Sequence, residues 1–208
     1  MFPDITAVVL AGGRGLRMGG LDKGLVDVAG RPLISYTLAA LAPQVGAIVI
    51  NANRNAERYR TWGHPVIADA SGDFDGPLAG MCAALGAITT PLLLTVPCDC
   101  PRLAPDLAAR LHAALLRDDA EIAVAHDGVR TQPVFALLRR ELHADLAEQL
   151  AAGERKIDRW FRSRRLAPVD FSDRPEHFVN LNSPEEKAAF EAEMDGVCGG
   201  SNHLTVDR

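Results

Sequence analysis

Residues 5–25 read ITAVVLAGGRGLRMGGLDKGL, an apolar run from Ile5 to Leu10 that opens directly into a glycine-rich turn. A buried strand followed at once by such a turn is the arrangement in which open α/β sheets place their ligands. Gly12, Gly13, Gly15, Gly19, Gly20 and Gly24 let backbone N–H groups approach an anion, and Arg14, Arg17 and Lys23 add positive charge to the same loop. Mobile amides and fixed cations together suit a polyphosphate.

Two familiar phosphate loops do not fit these letters. A P-loop requires Gly-Lys-Ser/Thr, and the loop's lysine stands in Asp22-Lys23-Gly24 with no hydroxyl residue after it. A dinucleotide fingerprint starting at Gly13-Arg14-Gly15 would need its third glycine where Met18 stands.

The rest of the chain alternates strands and helices. Leu25 to Val28 reads as a short strand, Pro32 to about Ala42 as a helix, and Gly46 to Asn51 (GAIVIN) as a strand buried on both faces. A helix over 55–61 and a strand over 65–68 follow. Asn51 and Asp69 then stand at strand ends on the ligand-binding edge. Asp73 and Asp75 in ASGDFDG read as turn-makers, and Pro77 starts a helix to about Ile88. Pro91 to Val96 (PLLLTV) reads as the most buried strand and delivers Asp99, flanked by Pro97 and Pro101, to the same edge. A carboxylate held there, facing a phosphate loop, is a natural Mg²⁺ ligand.

Farther on, Pro105 to Arg117 has helical periodicity, and Glu121 to Ala125 and Thr131 to Leu138 flank the hairpin signal Asp127-Gly128. That hairpin is expected at one edge of a mostly parallel sheet. Arg139 to Ala151 reads as a helix stopping at Gly153, and Leu166 to Phe171 lies beyond the basic segment 154–165. This segment holds six cations and reads equally well as a solvated helix face or as a binding surface. Phe178 to Leu181 is expected to be a strand, which would let Asn180 and Asn182 share a face. Ser183-Pro184-Glu185-Glu186 carries an N-cap serine, proline at N1 and glutamate at N3. One domain over 1–194 is expected, with a frayed tail over 195–208.

Composition narrows the function. A net charge of −5 argues against broad nucleic-acid binding. No apolar stretch approaches the ~20 residues that cross a bilayer, and Met1-Phe2-Pro3-Asp4 lacks a basic secretory start, so the cytoplasm is the expected address. Cys82, Cys98, Cys100 and Cys198 read as free thiols, and the six histidines stand singly.

The loop LAGGRGLRMGGLDKGL resembles the signature of the molybdenum cofactor guanylyltransferases, the MobA family of nucleotidyltransferases. Asn51-Ala52-Asn53-Arg54, Gly76-Pro77-Leu78-Ala79-Gly80, Pro97-Cys98-Asp99, Asp127-Gly128, Gln132-Pro133 and Phe178-Val179-Asn180-Leu181-Asn182 extend the likeness in order to about Met194. The resemblance implies a three-layer, Rossmann-like α/β nucleotidyltransferase domain. It implies transfer of GMP from GTP to molybdenum-loaded molybdopterin, with release of pyrophosphate. Leu10, Ala11 and Gly12 would then contact GTP through the main chain, Arg17 and Lys23 would stabilise phosphate charge, Asn51 and Asp69 would bind nucleotide, and Asp99 would hold Mg²⁺. Asn180 and Asn182 would face the pterin. A molybdoenzyme or a delivery chaperone is left open as a further partner. The rival reading is a molybdopterin cytidylyltransferase or a sugar-1-phosphate nucleotidylyltransferase on the same fold, against which LAGG in place of LAAG, Pro97-Cys98-Asp99 and the two asparagines weigh.

Overall fold

The computed structural model describes residues 1–12, 22–70 and 76–199, with side chains described up to residue 194. Most of the glycine loop, including Arg14 and Arg17, lies outside the described residues, as do Asp73 and Asp75.

The chain builds the expected three-layer α/β domain. Its central sheet contains β1 (Phe2–Leu10), β4 (Val45–Asn51), β5 (Val66–Ile67), β6 (Leu92–Pro97), β7 (Ile122–His126), β8 (Thr131–Arg139) and β9 (Leu166–Asp170), in the order β5-β4-β1-β6-β8-β7-β9. Only β8 runs against the others, pairing antiparallel with both β6 and β7. The hairpin is therefore not at the margin, because β9 pairs in parallel with β7 and forms the edge instead. Ala123, Val124 and Ala125 are buried on both faces, a pattern suited to an interior strand.

Period-two alternation divides the core between the two faces. Ile5, Ala7 and Val9 of β1 point into one layer with α1 (Ile34–Leu41), α2 (Ala56–Arg60) and α4 (Leu107–Arg117). Val8 points to the other, with α3 (Pro77–Ala87), α5 (His143–Ala151) and α6 (Ile157–Arg162). A third cluster joins α7 (Pro184–Gly199) through Phe190 to Val28 and Leu33 beside the small antiparallel pair β2 (Asp27–Val28) and β3 (Arg31–Pro32).

Several local expectations change. Pro32 lies in β3 and not in the first turn of a helix, because Val28 pairs with Arg31 and Asp27 with Pro32 before α1 begins at Ile34. Residues 178–181 form no strand: Phe178 ends a 3-10 turn, Pro175–Phe178, and the Leu181 N–H donates to the Asp99 carbonyl at 2.9 Å. The capping motif forms as read: the Glu186 N–H donates to Ser183 Oγ at 3.2 Å, and Glu186 Oε2 accepts the Ser183 N–H at 3.0 Å. From that cap, α7 runs to Gly199, beyond the boundary expected at Met194, and residues 200–208 lie outside the described residues.

The basic segment is largely compensated by its own surroundings. Arg159 pairs with Glu154 at 3.4 Å, Arg165 with Glu121 at 3.9 Å and Arg164 with Asp145 at 2.5 Å, while Trp160 Nε1 donates to the same Asp145 at 2.7 Å. Ile157, Trp160 and Phe161 are buried against the sheet.

Candidate active site

Parallel register brings four strand ends into one row. Leu10 stands level with Asn51 on one side and with Pro97 on the other, and Asn51 stands level with Ile67. The ladder continues one residue farther: the Ala11 N–H donates to Asn51 O at 2.8 Å, Ala52 N–H to Ile67 O at 2.9 Å and Cys98 N–H to Leu10 O at 3.2 Å. After β1 the chain turns toward β4, whereas β6 lies on β1's opposite side, so the order switches between β1 and β6. Open sheets bind ligands in the crevice at such a switch. Ala11 and Gly12 follow β1 on one side of this crevice, and Asp99 follows β6 on the other.

On the β4 side, Asn51 is 2% exposed. Its Nδ2 donates to Asp69 Oδ1 at 2.8 Å, and Asn53 Nδ2 donates to Asp69 Oδ2 at 2.6 Å. Asn53 Oδ1 accepts the Asp69 N–H at 2.8 Å, which closes a reciprocal pair. Asn53 went unassigned in the sequence, although its spacing of two from Asn51 was a usable signal.

Gly80 of α3 is required by this packing. A Cβ there would stand 2.4 Å from Asn51 Oδ1 and 2.8 Å from Leu10 Cδ2. Asn51 cannot yield, being buried and hydrogen-bonded to Asp69. Gly80→Ala is expected to cost about 1–3 kcal/mol by overpacking and to weaken nucleotide binding, as read by thermal melting and titration calorimetry. An unchanged melting temperature with full binding would contradict this account.

On the β6 side, Lys23 Nζ donates to Asp99 Oδ2 at 3.1 Å and to Asn182 Oδ1 at 2.6 Å. The two charged side chains are 25% and 11% exposed. Lys23, Asp99 and Asn182, far apart in sequence, thus meet at one point. Asn180 does not share a strand face with Asn182; its carbonyl accepts from Asn182 Nδ2 at 3.3 Å, and its own Oδ1 is buried without a hydrogen bond among the described residues.

The residue before Lys23 is clamped from α2. Buried Tyr59 donates its hydroxyl to Asp22 Oδ1, and Asn55 Nδ2 donates to Asp22 Oδ2 at 3.0 Å. Burial, then nearby Cys98 and the bond to Asp22, push the Tyr59 phenol far above its ordinary range, so it remains a donor at physiological pH. Gly24 fits against the same ring, where a Cβ would lie 2.6 Å from the hydroxyl oxygen. Neither Asp22 nor Tyr59 could be assigned from the sequence, because their 37-residue separation hides the contact.

Burial also drives the Cys98 thiol well up and pushes Cys100 up to about 12, with Asp99 adding to both. Protonated thiols are poor nucleophiles and poor metal ligands. Cys82, Cys98 and Cys100 are free, and no group of three His, Cys, Asp or Glu suited to a metal occurs among the described residues. Asp99, paired with Lys23, belongs to no such group. A single carboxylate fits Mg²⁺, which takes one or two carboxylates and completes its shell with phosphate oxygens and water.

The model of the MobA-like NTP transferase domain matches residues 7–169. The chain belongs to this family. Among curated relatives it is 50% identical to the molybdenum cofactor guanylyltransferase of Shewanella loihica, over 90% of this chain and 95% of that protein. It is 51% identical to the protein of the same name from Shewanella frigidimarina, again over 90% and 95%. The family assignment makes the chain a nucleotidyltransferase.

Solved structures support the fold more broadly. Molybdopterin-guanine dinucleotide biosynthesis protein A from Archaeoglobus fulgidus superposes with a TM-score of 0.76 at 20% identity, covering 92% of this chain and 99% of that one. A 4-diphosphocytidyl-2C-methyl-D-erythritol synthase from Anaerococcus prevotii reaches 0.68 at 14% identity, covering 92% and 98%. The fold is thus shared with a protein named for a different nucleotide, and fold alone does not select the base.

Proposed function

We propose that this enzyme transfers GMP from GTP to the terminal phosphate of molybdenum-loaded molybdopterin, forming the guanine dinucleotide cofactor and pyrophosphate. The observation carrying this reading is the meeting of Lys23 and Asp99 at the β1/β6 switch, beside the Asn51–Asn53–Asp69 cluster. The names of relatives at about 50% identity favour guanylyl over cytidylyl or sugar-1-phosphate transfer.

In this reading, Leu10, Ala11 and Gly12 present main-chain groups to the nucleotide at the end of β1, while Asn51 and Asp69 border it from β4 and β5. Lys23 meets phosphate charge that grows during transfer, and Arg17 serves the same end. Asp99 holds Mg²⁺, whose charge would help neutralise the phosphates when bound. Transfer then depends on alignment of the acceptor oxygen with the α-phosphorus and on fixed electrostatics.

The acceptor is assigned to the neighbourhood of Lys23. There a small cleft is lined by Val26, Val28, Leu33 and Leu181 together with Lys23, Ser183 and Lys187. The cleft adjoins the segment that carries Asn180 and Asn182, the two residues read as facing the pterin. No helix among the described residues is long and apolar enough to cross a membrane, and the cytoplasm is the proposed place of action.

GTP is expected to bind at least about tenfold more tightly than CTP or ATP, because polar groups matched to one base are left unpaired by another. Calorimetry with each nucleotide tests the base, and incubation with GTP, Mg²⁺ and molybdenum-loaded molybdopterin tests the product. Equal or tighter CTP binding, or no dinucleotide from GTP, would overturn the guanylyl assignment.

A further inference from the structure

We infer that Asn182 is a positioning residue for Lys23, acting on the transferred phosphate through the lysine and not by its own contact with the acceptor. The inference rests on the role proposed above for Lys23. Lys23 Nζ has two partners, Asp99 Oδ2 at 3.1 Å and Asn182 Oδ1 at 2.6 Å. An ammonium can only donate, so the facing atom of Asn182 must be its oxygen, and chemistry fixes the amide's orientation. Its nitrogen is turned toward Asn180 O at 3.3 Å.

The two partners do different things to the lysine. Asp99 cancels charge as it binds, and it is also the residue proposed to hold Mg²⁺. If that carboxylate held a cation, its hold on the ammonium would weaken. Asn182 is neutral: it directs the ammonium while leaving its positive charge available to phosphate. Lysine's flexible four-carbon stem gains most from such a fixed acceptor.

The acceptor oxygen is itself well anchored. The Asn182 N–H donates to Glu186 Oε2 at 2.5 Å, within the cap of α7, and the adjacent Leu181 N–H donates to Asp99 O at 2.9 Å. Buried Leu181 packs with Val28, Leu33 and Phe190. Residues 181 and 182 are thereby tied to the end of β6 and to the start of α7, so the amide is held ready by bonds that its own replacement does not remove.

A double-mutant cycle on the full chain tests this, with kcat and separate KM values for GTP and for molybdenum-loaded molybdopterin. Asn182→Ala is expected to lower kcat about tenfold and to leave both KM values within about twofold. In the Lys23→Ala background, Asn182→Ala should change kcat by less than about twofold, since the group through which it acts is gone. Losses that multiply in the double variant would overturn the inference while leaving the Lys23 reading intact. A rise confined to the acceptor's KM would also overturn it, in favour of direct acceptor contact. Unchanged turnover in Lys23→Ala would overturn the Lys23 reading, and this inference with it. Thermal melting of each variant separates loss of fold from loss of function.

Discussion

Asp99→Asn is expected to keep the fold and to lose at least about 100-fold in Mg²⁺-dependent turnover. Replacing groups that merely support a metal ligand costs about 10–100-fold, and here the proposed ligand itself loses its charge. The substitution is nearly isosteric, and the amide oxygen can still accept from Lys23 Nζ, now 3.1 Å from Asp99 Oδ2. The backbone bond from Leu181 N–H to Asp99 O is untouched. Stability and chemistry should therefore separate. Turnover measured across a Mg²⁺ titration, beside a thermal melt, checks this; near-normal turnover at every Mg²⁺ concentration would remove Asp99 from metal binding.

Lys23→Ala should lower kcat by about 10²–10³-fold while changing KM for GTP only a few-fold, because the ammonium is proposed to meet charge that develops in transfer. The geometry explains why the effect should be concentrated in kcat. Asp22 remains held by Tyr59 and Asn55, and Gly24 remains packed on the Tyr59 ring, so the chain entering the site keeps its path without the lysine side chain. Because the substitution leaves the Asp99 carboxylate, 11% exposed, and Asn182 Oδ1 without their donor, it should also cost about 2–3 kcal/mol of stability, which a thermal melt reads. Steady-state kinetics would decide the matter: a raised KM with unchanged kcat would make Lys23 a ground-state anchor.

These two substitutions fall on residues that local sequence already marks. Asp99 stands between prolines after PLLLTV, and Lys23 is the lysine of a glycine loop that follows a strand. Because ligand edges in parallel sheets follow from strand direction, an alternating β/α pattern is enough to put Leu10, Asn51, Asp69 and Asp99 at one end of the molecule. The helix cap at Ser183 is equally local, since its partners lie within one turn of chain. Hydrophobic period likewise reveals the layers, because each strand residue must face one side or the other.

What local pattern could not supply is pairing across long stretches of chain. Periodicity gives a strand its faces but not its neighbours, so β9 on the outside of β7 emerges only when the sheet is assembled. Residues 178–181 show the same limit: their apolar and polar alternation resembles a strand, yet the bond from Leu181 to Asp99 takes the place of a ladder. Lys23 and Asn182 are 159 residues apart, and their 2.6 Å contact depends on α7 packing over β2 and β3 through Phe190. Amino-acid order thus determined the fold class, the ligand edge and the charged groups available there, through short-range rules of period and turn. Which of those groups touch one another was decided by tertiary packing, because a hydrogen bond is set by ångström-scale distance and carries no signature in sequence separation.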